Sequence, residues 1–81
     1  MDQEEKRTIL EIIRTEYRNP DGVVKSILDG MPHRHRDVIF HRVVGGKSWF
    51  QVEEICHYSE RQGRNLLNEG LEMFRESYFQ G

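Results

Sequence analysis

The stretch Gly46-Lys47-Ser48-Trp49-Phe50-Gln51-Val52-Glu53-Glu54-Ile55-Cys56-His57-Tyr58-Ser59-Glu60-Arg61-Gln62 leaves this chain few ways to fold. Ser48 offers a helix N-cap. Trp49, Val52, Ile55 and Cys56 then recur at the spacing of one helix face, which predicts that all four are buried. The pattern breaks at His57-Tyr58. Ser59, with Gln62 three positions later, carries the capping-box signature of a new helix. A short amphipathic helix, a tight turn and a capped second helix are the grammar of a helix-turn-helix. Everything upstream has to act as scaffold, dimer surface or docking arm.

The second helix of that unit is expected from about Glu60 to Phe74 or a little beyond. Leu67, Leu71 and Phe74 share a face, with Leu66 at its margin. Gly63 and Gly70 lie on or near the same face. Each costs about 1 kcal/mol against alanine in a helix interior. Two such costs on one face point to close approach by another helix.

Upstream, Ile9, Leu10, Ile12, Ile13 and Tyr17 predict a helix over 2–18. Its acidic start (Asp2, Glu4, Glu5) and basic end (Arg14, Arg18) complement the helix dipole. Asn19-Pro20 stops it, because the residue before proline avoids the helical region. Pro20-Asp21-Gly22 is turn chemistry, and Val23, Val24, Ile27 and Leu28 fit a short helix ending at Asp29-Gly30. Met31-Pro32 opens a third segment with Val38, Ile39, Val43 and Val44 as its stripe. Strand and helix both suit that apolar run, and its flanks favour helix. Gly45-Gly46 offers the left-handed freedom of a helix end. The expected fold is therefore all-α, a bundle of four to five helices with a C-terminal helix-turn-helix. Its parts are an N-terminal helical arm (1–30), the helix-turn-helix region (31–76) and a tail (77–81). The tail's Tyr78-Phe79-Gln80-Gly81 resembles the end of a common tag-protease site, although Glu76-Ser77 does not complete that site. It is therefore treated as vector-derived and kept out of the fold.

Eighty-one residues with 36% apolar content make a marginal core, so a homodimer is an expectation. Cys56, the single cysteine, excludes an intrachain disulfide and fits a reducing cytosol. No apolar run is long enough for a membrane span, and the acidic start does not read as a signal peptide. No membrane partner is expected.

Catalytic signatures are missing from the sequence: no phosphate-binding Gly-rich loop, no Gly-x-Ser-x-Gly and no His-Glu-x-x-His. His33, His35, His41, His57 and Cys56 lack the paired spacing of a zinc site. The expectation is no enzyme, no metal and no cofactor. Nucleic-acid recognition fits better. The second helix of a helix-turn-helix lies in the major groove with its first residues on base edges. Those positions hold Glu60, Arg61, Gln62, Arg64, Asn65 and Asn68. Arg pairs bidentately with guanine, and Gln or Asn with adenine. The same residues also suit an ordinary solvated face.

Two further segments carry a family resemblance. Met31-Pro32-His33-Arg34-His35-Arg36-Asp37-Val38-Ile39 resembles the Leu-Pro-x-Arg-x-Arg-x-Val-hydrophobic opening of region 4 in sigma-70-type factors. Gly46-Lys47-Ser48-Trp49 and Tyr58-Ser59-Glu60-Arg61-Gln62 are closer still to small phage-encoded sigma-like regulators of the ArpU and RinA types. The resemblance covers Met31 to Phe74, somewhat more than half of the chain. It implies a regulator in the cytoplasm of a bacterial host cell that reads promoter DNA with the helix starting near Ser59. Arg61, Gln62, Arg64, Asn65 and Asn68 would read or track the major groove, while Arg34, Arg36 and Lys47 would touch phosphates.

The chain departs from that pattern in three places. Glu53 stands where the family prefers a small residue, His57 replaces a turn glycine, and Gly63 replaces an apolar residue. The net charge of the whole chain is -2. Between 31 and 75, Arg34, Arg36, Arg42, Lys47, Arg61, Arg64 and Arg75 barely exceed Asp37, Glu53, Glu54, Glu60, Glu69 and Glu72. Attraction to phosphate then depends on clustering, which is expected among the first six of those cations. The alternative is a protein-interaction module of the same fold that binds RNA polymerase or another regulator without reading DNA.

Overall fold

Asp2 starts the first helix, its side chain accepting the amide of Glu5 at 2.7 Å. From that cap the computed structural model, which describes residues 1–80, runs entirely through helices. They are α1 (Gln3–Glu16), α2 (Val23–Asp29), α3 (His33–Ile39, continuing as a π-helical turn over Phe40–Val44), α4 (Trp49–Cys56) and α5 (Glu60–Gln80). The fold is the expected small all-α bundle with a C-terminal helix-turn-helix. Among the described residues no helix is long and apolar enough to cross a membrane.

The 21 residues of α5 make a rod ~30 Å long at 1.5 Å per residue, close to the 34 Å long dimension of the molecule. Helices α1 to α4 all pack against it. One core results. Ile9 and Ile13 of α1, Val24 and Leu28 of α2, Val38 and Ile39 of α3, Val52 of α4, and Leu71 and Phe74 of α5 are all essentially sealed from solvent. The first helix is therefore built into the same core as the helix-turn-helix. The last helix runs well past Phe74. Tyr78 lies within it and stacks on Phe74 at 5.4 Å, so four of the residues set aside as a tail, Ser77 to Gln80, continue α5. The tail's last residue, 81, lies outside the described residues.

The punctuation acts where it was expected, with two additions. Ser48 caps α4, and a full capping box forms because the Gln51 side chain accepts the Ser48 amide at 3.0 Å. Ser59 and Gln62 make the same reciprocal pair at the start of α5, both bonds 3.2 Å. At the end of α3 the two glycines divide the work. Gly46 takes the left-handed conformation (φ 65°). Gly45 lets the chain close on itself, since a Cβ there would sit 2.8 Å from the His41 carbonyl oxygen. The amide of Gly45 donates to the Phe40 carbonyl at 2.8 Å, the five-residue reach that defines the π turn.

One expected core residue is not in the core. Ile55 is 44% exposed, so α4 grips α5 through Trp49 and Val52, with Cys56 half-buried beside them. Ile55 stands six residues after Trp49, about 120° around the helix from it, whereas Val52 and Cys56 lie within about 60°. The three departures from the family pattern each have a local solution. Glu53 points to solvent, outside the helix contact. His57 adopts the left-handed conformation (φ 64°, ψ 28°) that the turn requires. Gly63 makes room for Trp49, whose Cζ3 would lie 2.8 Å from an added Cβ.

Candidate nucleic-acid interface

The turn at 57–59 aims the start of α5 outward. Arg61, Arg64 and Asn68 follow one another at three- and four-residue steps along it, with Asn65 beside Arg64, and all four are exposed. Their surroundings differ. Arg61 has no carboxylate within 4.0 Å among the described residues, and Asn65 makes no side-chain hydrogen bond there. Arg64 donates from Nε to Glu60 at 2.8 Å and lies over the Trp49 ring at 5.2 Å. Asn68 accepts from Lys6 Nζ at 3.1 Å. Gln62 is occupied as a cap, with Oε1 receiving the Ser59 amide. Arg61 and Asn65 are therefore the two side chains of the expected reading set that make no side-chain hydrogen bond or ion pair among the described residues.

The expected phosphate contacts scatter. Arg34 packs over the Tyr58 ring at 5.3 Å. Arg36 donates to His33 Nδ1 at 2.8 Å and lies 3.7 Å from Asp37. The carbonyl of Lys47 receives a bond from Arg42 Nη1 at 2.7 Å, and its own side chain is half-buried. Of the six cations expected to cluster, only Arg42 and Arg64 share a neighbour: both guanidiniums lie on Trp49, at 4.9 and 5.2 Å from the ring centre.

Two other cations complete a different cluster. Lys6 and Arg14 of α1 join Arg42 and Arg64 around a cleft of about 350 Å³. Its apolar surface comes from Leu10, Val43, Trp49 and Leu67, and no carboxylate lines it. Lys6, Leu10 and Arg14 stand four residues apart, so their common helix face was visible in the sequence. That this face meets Trp49 and α5 was not, because only the packing of α1 on the bundle brings them together. Clefts lined by one sign of charge concentrate the electrostatic potential. A larger groove of about 650 Å³ on the other side of Lys6 has the opposite character, with Asp2, Glu69 and Glu72 on its walls.

The remaining polar groups serve packing. His35 Nε2 bonds Glu69 at 2.9 Å and ties α3 to α5. Burial, and then the charge of Asp37, push the Cys56 thiol above its usual value. A thiol held protonated in this way is a poor nucleophile at neutral pH. Among the described residues no group of three or more His, Cys, Asp or Glu is arranged to hold a metal ion.

Comparison of the chain with protein-family models, with curated proteins and with solved structures finds no match.

Proposed function

We propose that this chain is a DNA-binding transcription regulator whose reading element is the first half of α5. The observation that carries this is the continuity of the surface. Unpaired Arg61 and Asn65 lie on the same exposed helix face as Arg64, and Arg64 also forms part of a cleft with four cations and no carboxylate. A base-reading face running into a phosphate-attracting one is the division of labour that duplex recognition uses. The likeness of residues 31–74 to sigma region 4 supports the same reading. So does the turn: His57 holds the left-handed geometry that the family gives to glycine.

The roles then narrow. Arg61 and Asn65 read base edges, Arg64 tracks the backbone from the Trp49 face, and Gln62 builds the helix start. The test is fluorescence anisotropy on genomic duplex fragments at two salt concentrations. Arg61→Ala with Asn65→Ala is expected to cost about 1–3 kcal/mol on a preferred site and little on other sequences. Unchanged selectivity in that variant would remove α5 as the reading helix.

One observation favours a second reading, a protein-interaction module that binds RNA polymerase or another regulator. Phe50 on α4 is 70% exposed and Phe40 is 39% exposed, apolar area that duplex binding does not use. The absence of any duplex affinity at low salt would select this reading.

A further inference from the structure

We propose that the cleft between α1, the π turn of α3 and the α4–α5 pair is a seat for a phosphate ester, namely a backbone phosphodiester of the bound duplex. The choice of duplex as the source rests on the function proposed above. The site itself rests on separate observations. Lys6, Arg14, Arg42 and Arg64 come from three different parts of the chain and converge on one space lined by no acidic group. Lys6 and Arg42 have no carboxylate within 4.0 Å among the described residues. The carboxylate partners of Arg14 and Arg64 are exposed, Glu11 at 3.4 Å and Glu60 at 2.8 Å, and solvent weakens both pairs.

The cleft is also preorganised on the side of Trp49. Arg42 is fixed by its bond to the Lys47 carbonyl and by the indole face. The indole is fixed by its fit into Gly63. A guanidinium anchored in this way presents its remaining N–H groups at little further entropic cost, and such forks match phosphate oxygens. The Lys6 to Asn68 bond links the cleft to the exposed face of α5, so a strand read by Arg61 and Asn65 passes near it. Helix α1 then has a role that its burial alone does not explain. It buries Ile9 and Ile13 in the core and turns Lys6 and Arg14 towards the nucleic acid.

Trp49 is the only tryptophan in the chain and lines the cleft, so its fluorescence reports occupancy directly. The test uses two probes on the full chain: a duplex of mixed sequence, and tripolyphosphate, which carries phosphate charge and no bases. Lys6→Gln with Arg14→Gln is compared with wild type and with Lys25→Gln, a cation outside the cleft. Thermal melts by circular dichroism establish that each variant is folded. For wild type, tripolyphosphate is expected to give a saturable change in Trp49 emission. In the double variant its apparent affinity is expected to fall at least tenfold. Duplex affinity should weaken alike for all sequences, and the slope of log K against log salt should drop by about one to two, since each phosphate contact contributes about 0.9. Lys25→Gln should leave the slope unchanged.

Wild-type duplex binding whose slope is the same in the double variant overturns the cleft and leaves the reading role of α5 standing. The reverse pattern, a tripolyphosphate response lost in the double variant with no duplex affinity in wild type, overturns the duplex as source and the proposed function with it, and supports the phosphate seat. Neither response in wild type overturns both.

Discussion

Helix α5 meets a bulky neighbour at two glycines, and the two meetings have different surroundings. At Gly70 an added Cβ would come within 2.7 Å of Ile39 Cδ1, and Ile39, Leu71 and Phe74 nearby in the core are fully buried. At Gly63 the neighbour is the Trp49 ring, 9% exposed, with two guanidiniums lying on it. One device, a missing side chain that admits a large one, serves two ends. Around Gly70 it closes a dry core, whose worth is apolar area removed from water. Around Gly63 it brings an aromatic platform to the surface and lets it hold cations in place. Both ends contribute to stability, and the surface chemistry is concentrated at the second.

The largest effects come from truncating a large buried ring near each end. Phe74→Ala and Trp49→Ala are each expected to cost about 3–5 kcal/mol in urea unfolding. That is a large fraction of the stability of a domain this small. The pair separates in a second readout, taken on the milder variants Phe74→Leu and Trp49→Phe so that the protein stays folded. Duplex affinity should hold in the first and fall in the second, because the guanidiniums of Arg42 and Arg64 lose their indole surface. Equal affinities would break the comparison.

A smaller effect sharpens it. Replacing either glycine with alanine gains about 1 kcal/mol of helix propensity. At Gly70 the obstructing atom is the terminal methyl of Ile39, which can rotate aside, so Gly70→Ala is expected within about 1 kcal/mol of neutral. At Gly63 the obstruction is two atoms of a rigid ring, at 2.8 and 3.2 Å. Overpacking of this kind costs about 1–3 kcal/mol, which leaves Gly63→Ala destabilised by about 1 kcal/mol overall. Urea midpoints for the two variants check the order. A reversal would mean that α4 moves on α5 more easily than α3 does.

These two glycines also show which parts of the molecule could be seen in the sequence. Their cost in a helix interior pointed to close packing, and both close approaches exist. The caps at Ser48 and Ser59 and the apolar periods of α1, α2, α3 and α5 were equally visible, because each is local chemistry. Three features were not. The π turn at Phe40–Val44 has no local signature and depends on Gly45 letting the backbone close. Ile55 continued an apolar pattern but lies too far around α4 from Trp49 to be buried. Arg34 and Arg36 looked like partners of Arg42, yet rings and neighbours on their own side hold them, and Lys6 and Arg14 take their place. Which cations share a cleft is decided by how α1 lies on the bundle, and no spacing within one segment carries that information.

The turn between α4 and α5 gives the smallest effect and tests how far the surface end extends. His57 is an exposed residue held at φ 64°, where a side chain costs about 1–2 kcal/mol. Glycine removes that strain, but it also widens the unfolded ensemble by about 0.4–1 kcal/mol. His57→Gly is therefore expected to stabilise the fold by about 0.5–1 kcal/mol, read as a higher urea midpoint. Because the backbone already has the conformation that glycine prefers, α5 keeps its direction. Duplex affinity then depends only on whether the imidazole itself touches the ligand. If the charged surface stops at Arg61 and the Trp49 cleft, affinity stays within about twofold of wild type, a few tenths of a kcal/mol. A larger loss in a more stable protein has no explanation in packing, and it would extend the surface end of the molecule into the turn.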